Sequence, residues 1–183
     1  MASRLDTAPI LLTMATGSGF SCSCCGQHHD ELPHSYGTSA PHYWDESLKS
    51  EPDTVLSAEQ CVIDGNYFFV RARLVLPIID AEEDFEWGVW ISLSESNFNR
   101  VAQLWADPER VNEPPYFGWL ATELPGYKPS TLNLKTNLHS QPVGTRPTVE
   151  LEPTDHPLAM EQRTGIQLAR VQAIAEQLLH PDR

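Results

Sequence analysis

Between Cys61 and Leu93, apolar and polar positions alternate with a period of two, and the rest of the chain is read outward from this stretch. Phe68, Val70, Ala72, Leu74, Leu76 and Ile78 share one parity, while Arg71 and Arg73 share the other. That is the pattern of a strand with one buried face. A second run places Phe85, Trp87, Val89, Ile91 and Leu93 on one side and Glu86, Gly88, Trp90 and Ser92 on the other. If both apolar faces serve one core, paired residues have opposite parity, and the shortest comfortable register sets Ile78 opposite Phe85 and Arg73 opposite Trp90. An exposed guanidinium–indole contact is worth only ~0.5–1 kcal/mol. That is too little to keep a large aromatic outside, so Trp90 is expected to be partly covered by the segment Tyr116 to Trp119, with one edge lining a pocket. Upstream, Asp64-Gly65 reads as a two-residue hairpin turn that pairs Cys61 with Phe68 and points Cys61 to the apolar side.

The remaining patterns are shorter. Ser94 is placed to cap a helix carrying Phe98, Val101, Ala102 and Trp105 on one stripe, stopped by Asp107-Pro108. Pro114 to Tyr127 reads as an aromatic strand with a close backbone approach at Gly118. Leu132, Leu134, Thr136 and Leu138 then alternate with polar residues, as do Pro147, Val149 and Leu151. Matching these two faces sets Lys135 opposite Glu150 and His139 opposite Arg146. A C-terminal helical region follows, with Thr154 or Asp155 as its N-cap, Pro157 in its first turn and an interruption at Gly165. Beyond it, Leu168, Val171, Ile174, Ala175 and Leu178 form an apolar side. Leu32 to Asp53 has no period and reads as a covering loop or a short helix. The predicted fold is α+β: a mainly antiparallel sheet of about five to six strands, two or three helices and an N-terminal cysteine-rich knuckle.

With 183 residues and 40% hydrophobic content, the chain suits one domain. Residues 1–19 are expected to be a flexible leader and 20–183 a single domain, with the knuckle at 20–31. A net charge of -13 excludes the clustered cations that nucleic-acid binding needs and favours a basic partner, if any. APILLTMA is too short and wrongly flanked for a signal peptide, and no run is long enough to cross a bilayer, which points to a soluble, cytoplasmic protein.

Three of the four cysteines fall in FSCSCCGQHH, where Cys22 and Cys25 form C-x-x-C ahead of Gly26, His28 and His29. This packing suits a metal in a reducing compartment better than a disulfide framework. A structural zinc site needs four ligands, and the candidates for the other two include His29, His28, His34, His42 and Cys61. The set taken forward is Cys22, Cys25, His29 and Cys61, with zinc as the metal; the bland reading of Cys61 is a small buried hydrophobe. For a ligand or partner, the residues singled out are Arg71, Arg73, Trp90, Trp119, His139, Arg146, Asp155 and His156. Asp155-His156 stands where a helix begins and explains itself as a cap before it does as a catalytic pair.

The segments FSCSCCGQHH, CVIDGNYFFVRA, WGVWISLSE, PPYFGWL, LNLKT and RPTVELEPTDHPLAMEQRTGI together resemble the bacterial domain-of-unknown-function family 2199, from Phe20 to the final helix. The resemblance implies membership of an uncharacterised bacterial family and supplies no mechanism. Cys22, Cys25, Gly26, His29 and Cys61 match its cysteine motif, and Cys24 is an extra potential ligand. No P-loop, G-x-S-x-G, H-E-x-x-H or dinucleotide fingerprint occurs, so the reading leans away from an enzyme. The expected function is a binding or protein-interaction module with a structural zinc. The alternatives are a hydrolase-like metal-dependent enzyme with a site near His139 or His156, an immunity-type inhibitor of a basic partner, and a scaffold whose zinc is purely structural.

Overall fold

The structure is a computed structural model that describes residues 10–12 and 19–181. Its strands are β1 (Ile10–Leu12), β2 (Phe20–Ser21), β3 (His28–His29), β4 (Ser35–Thr38), β5 (Val55–Leu56), β6 (Gln60–Ile63), β7 (Tyr67–Leu76), β8 (Phe85–Leu93), β9 (Tyr116–Leu120), β10 (Lys135–His139) and β11 (Thr148–Leu151). The helices are α1 (Glu95–Gln103), α2 (Pro157–Thr164) and α3 (Leu168–Leu179), with 3-10 turns at Glu46–Ser50 and Pro108–Asn112. Most of the expected leader lies outside the described residues; within it, Ile10–Leu12 pairs with β4.

The long strands β7 and β8 pair antiparallel along nearly their whole length. Each divides its other edge between two neighbours. β8 gives its first half to β4, in parallel, and its second half to β9. β7 gives its start to β6 and its middle to β11, the latter in parallel. Because β9 leads through β10 to β11, the path β7–β8–β9–β10–β11 returns to β7 and closes a five-stranded mixed barrel. This corrects the expected mainly antiparallel sheet. The alternation seen in sequence specifies faces, whereas closure depends on a parallel contact between distant strands that alternation does not encode.

The inner face contains Val70, Ala72, Leu74, Leu76, Trp87, Val89, Ile91, Leu120, Leu138 and Val149, joined by the apolar sides of the three helices. Ser94 caps α1 by accepting from the Asn97 N–H, and Asp107 caps the following 3-10 turn rather than only stopping α1. α2 starts one or two residues later than expected, because the His156 Nδ1 accepts from the Leu158 N–H at 3.1 Å and serves as N-cap in place of Asp155 or Thr154. Gly165 ends α2, and α3 follows.

Both expected registers are displaced by two residues, which preserves parity. Leu76, not Ile78, faces Phe85, and Arg71, not Arg73, faces Trp90. Pro77 has no N–H to continue the ladder, and the chain there turns to a parallel bridge between Ile78 and Ile166. In the last pair, Glu150 faces Asn137 and Thr148 faces His139, so Lys135 lies level with Glu152, whose carboxylate is 3.9 Å from its ammonium. The turn after β6 differs by an odd number. Asp64 and Gly65 both take positive φ and the Asn66 N–H closes the turn on the Ile63 carbonyl at 3.0 Å, but the ladder resumes at Ile63–Tyr67, one residue later. That extra residue pairs Cys61 with Phe69 and places it on the outer face.

The outer face has its own apolar cluster: Cys61, Ile63, Phe69, Trp90 and Ala121, with Trp44, Leu48 and Leu56 packed on it. Trp90 is 0% exposed and is covered by this cluster rather than by Tyr116 to Trp119. Its indole N–H donates to the Thr38 carbonyl at 3.3 Å.

Candidate metal centre

β2 and β3 form a two-stranded hairpin that carries the C-x-x-C turn. The Gly26 N–H donates to the Cys22 carbonyl and the Cys22 N–H to the Gln27 carbonyl, each at 2.9 Å, while Gly26 takes φ +73°. This turn brings the Cys25 thiol to 3.9 Å from the His29 Nε2. Phe20 stacks on the His29 ring at 4.9 Å between centroids and fixes its orientation. The fourth member of the group comes from the other end of the chain. Cys22, Cys25, His29 and His180, the C-cap residue of α3, each offer one donor atom, and these atoms all lie within 4.8 Å of one another.

Two sulfurs and two imidazole nitrogens suit a metal ion of borderline softness. The His180 Nε2 supports this: it is buried and has no hydrogen-bond partner among the described residues, and a metal ion would take up its lone pair. α3 also holds the hairpin directly. The Glu176 carboxylate accepts from the Ser23 N–H at 2.7 Å and the Ser23 hydroxyl at 2.6 Å, and the Gln172 amide reaches both Glu176 and the Ser21 carbonyl. The Gln172 amide first, and then Ser23, hold the Glu176 carboxyl below its ordinary range. For Cys22, burial raises the thiol pKa, but donors from the Cys25 and Cys24 backbone and the Cys25 thiol together outweigh it, and the net shift is downward, towards the thiolate that binds metal.

The structure therefore brings together Cys22, Cys25 and His29 of the set read from sequence and places Cys61 elsewhere. Burial pushes the Cys61 thiol up to about 12, the behaviour of an apolar core residue. Cys24 is outside the four-member group, and burial followed by the neighbouring Cys22 raises its pKa. His180 carries no spacing signal that links it to the knuckle, and only the docking of α3 reveals it.

The other singled-out residues do not gather in one place. Arg71 lies on the outer face with its guanidinium 6.0 Å from the Trp90 ring centroid. Arg73 pairs with Glu86 at 2.8 Å, and Arg146 makes a two-point contact with Glu59 at 2.8 and 2.7 Å. Arg73, Arg146 and Glu59 help line a hollow of about 450 Å³. Burial, and next the nearby Arg146, lower the Arg71 guanidinium from its ordinary value. Trp119 is 40% exposed on the rim of a larger cleft of about 770 Å³. His139 lies 3.4 Å from Glu150, and both ring nitrogens of His156 are engaged, one with Leu158 and the other with the Pro129 carbonyl at 2.9 Å. Asp155 is exposed beside this cap.

A family model described as an uncharacterised protein conserved in bacteria, DUF2199, matches residues 21–166, a span that includes the knuckle and ends before α3. No curated protein and no solved structure matches the chain.

Proposed function

The chain belongs to the DUF2199 family of uncharacterised proteins conserved in bacteria, and for it we propose a binding module whose two chain ends are held together by a structural zinc. The observation that carries this reading is the convergence of Cys22, Cys25, His29 and His180. Four protein donors leave no open position for substrate, which separates a structural zinc from a catalytic one. When bound, zinc contributes folding free energy and fixes the hairpin on the end of α3. The residues beside the donors act as supports: Phe20 orients His29, and Glu176 anchors the turn between Cys22 and Cys25 through Ser23.

The hydrolase-like alternative draws no support from the metal group, since neither His139 nor His156 is a member. His156 has a sufficient role as a cap. The acidic balance and the outer face of the barrel, with its two hollows, favour contact with a ligand or a basic partner over chemistry. No helix among the described residues is long and apolar enough to cross a membrane.

Cobalt substitution tests the closed site. The expected result is one cobalt per chain with a tetrahedral sulfur–nitrogen spectrum that does not change when azide is added. A spectrum that shifts on azide addition would show an exchangeable position and overturn the structural role.

A further inference from the structure

The larger cleft on the outer face is built on a single row of residues crossing four strands. The register pairs Cys61 with Phe69, Phe69 with Ser92, and Ser92 with Trp119. A small hydroxyl residue therefore stands between two large aromatic ones, and the row is lowest at Ser92. Tyr67, two residues before Phe69 on the same face, lines one side. Tyr43 lines another, stacked on Phe69 with ring centroids 6.1 Å apart and planes at 29°. The hollow so enclosed is about 770 Å³, within the ~300–1,000 Å³ range of small-molecule sites.

Four aromatic rings contribute to the lining, and three of them remain markedly open: Tyr67 is 60%, Tyr43 46% and Trp119 40% exposed. Rings of this size left in water need a reason beyond stability. The polar groups are few. Asn133 already receives the Tyr43 hydroxyl at 3.2 Å. Asp64 makes its hydrogen bonds through the backbone, donating to Thr54 and accepting from Asn66, so among the described residues its carboxylate has no partner. No Lys or Arg lines the cleft, and the chain as a whole carries a net charge of -13.

We propose that this cleft binds an organic cation of the quaternary or alkylated ammonium class. Aromatic faces present negative potential and attract such cations more strongly than neutral groups of the same shape. A nearby carboxylate without a partner supplies counter-charge, and the acidic surface concentrates cations at the mouth. An anion would find no cationic partner here. A sugar would need an array of directional hydrogen bonds, whereas the short polar side chains of the lining are only Ser92, a half-occupied Asn133 and the Asp64 carboxylate. The proposal rests on reading the protein as a binding module and is independent of the metal centre, which uses none of these residues.

The test uses the full-length protein with its metal content measured in parallel. It is titrated with choline and with 3,3-dimethylbutan-1-ol, the neutral molecule of the same shape, following tryptophan fluorescence and heat. Choline is expected to saturate one site and to bind at least ~10-fold more tightly than the neutral compound, the scale of a cation–π contribution from more than one ring. Trp119→Ala and Tyr67→Ala, both at exposed positions, are each expected to weaken choline by ~3- to 10-fold. Asp64→Asn keeps a residue that tolerates positive φ and is expected to weaken choline while leaving the neutral compound unchanged. Equal binding of the two compounds, choline binding indifferent to Trp119→Ala, or no binding to folded protein would each overturn the proposal. Because metal content is read on the same samples, a protein without metal that still binds choline would overturn the zinc reading and leave this one standing.

Discussion

Cys22 and Cys61 are both closed to solvent, at 2% and 0% exposure, yet their surroundings give them opposite chemistry. Cys61 sits among Ile63, Phe69, Trp90 and Ala121, where nothing stabilises a thiolate and burial pushes the thiol up to about 12. Cys22 sits in a turn whose backbone N–H groups point at its sulfur and outweigh its own desolvation. The difference lies in the donors and in the depth of each sulfur, Cys61 being set deeper. A buried cysteine becomes a metal ligand when the chain around it presents hydrogen-bond donors and further ligands, and it becomes core when the chain presents apolar side chains.

The comparison can be broken at several points. The largest effect is expected from Trp90→Ala, which empties the centre of the Cys61 cluster and should cost about 3–5 kcal/mol in chemical denaturation. A loss below ~1 kcal/mol would mean that the outer cluster is no core. Next, Cys25→Ser should lower stability by about 2–3 kcal/mol, as expected for loss of a metal ligand. A chelator should destabilise the native chain but leave this variant unmoved. Cys61→Ala should cost about 1 kcal/mol, the scale of a small core truncation, and leave metal content unchanged.

The smallest effect sharpens the comparison from outside both clusters. Arg100, and then the Tyr116 hydroxyl, hold the Glu113 carboxyl at about 2, below its ordinary 4.5. The native state therefore binds fewer protons than the unfolded state between these values. This contribution is fully present above about 4.5 and is lost as the pH falls towards about 2. Arg100→Ala should flatten this acid limb of the stability–pH profile without altering metal content. An unchanged limb would show that the pair contributes nothing there.

Along the two long strands, faces were legible in the sequence and pairings were not. The alternation from Phe68 to Leu93 separates Trp87 from Trp90 correctly, because side-chain direction follows parity alone. Parity leaves registers two residues apart equivalent, and the choice between them was made by Pro77 and by the distant bridge to Ile166. β4 was hidden because Ser35–Thr38 has no apolar alternation. It pairs where Gly37 and Gly88 lie face to face, so close that a Cβ on Gly37 would be 3.1 Å from the Gly88 Cα. The knuckle was legible from its spacing. Its fourth member was misassigned for two separate physical reasons: one extra turn residue after Ile63 rotated Cys61 to the outer face, and His180 reaches the site only through the tertiary docking of α3. The outer cleft was half legible, since Trp119 was singled out for a ligand or partner, while Tyr67 and Phe69 join it only through strand pairing and Tyr43 by stacking on Phe69.

The central claim is that the two ends of the domain meet on one metal ion, and it is tested most directly by the zinc-to-protein ratio after dialysis against a weak chelator. The native chain and Cys61→Ala should each retain about one zinc, as a closed four-ligand site requires, and His180→Ala should lose most of it. Zinc retained by His180→Ala and lost from Cys61→Ala would contradict the account.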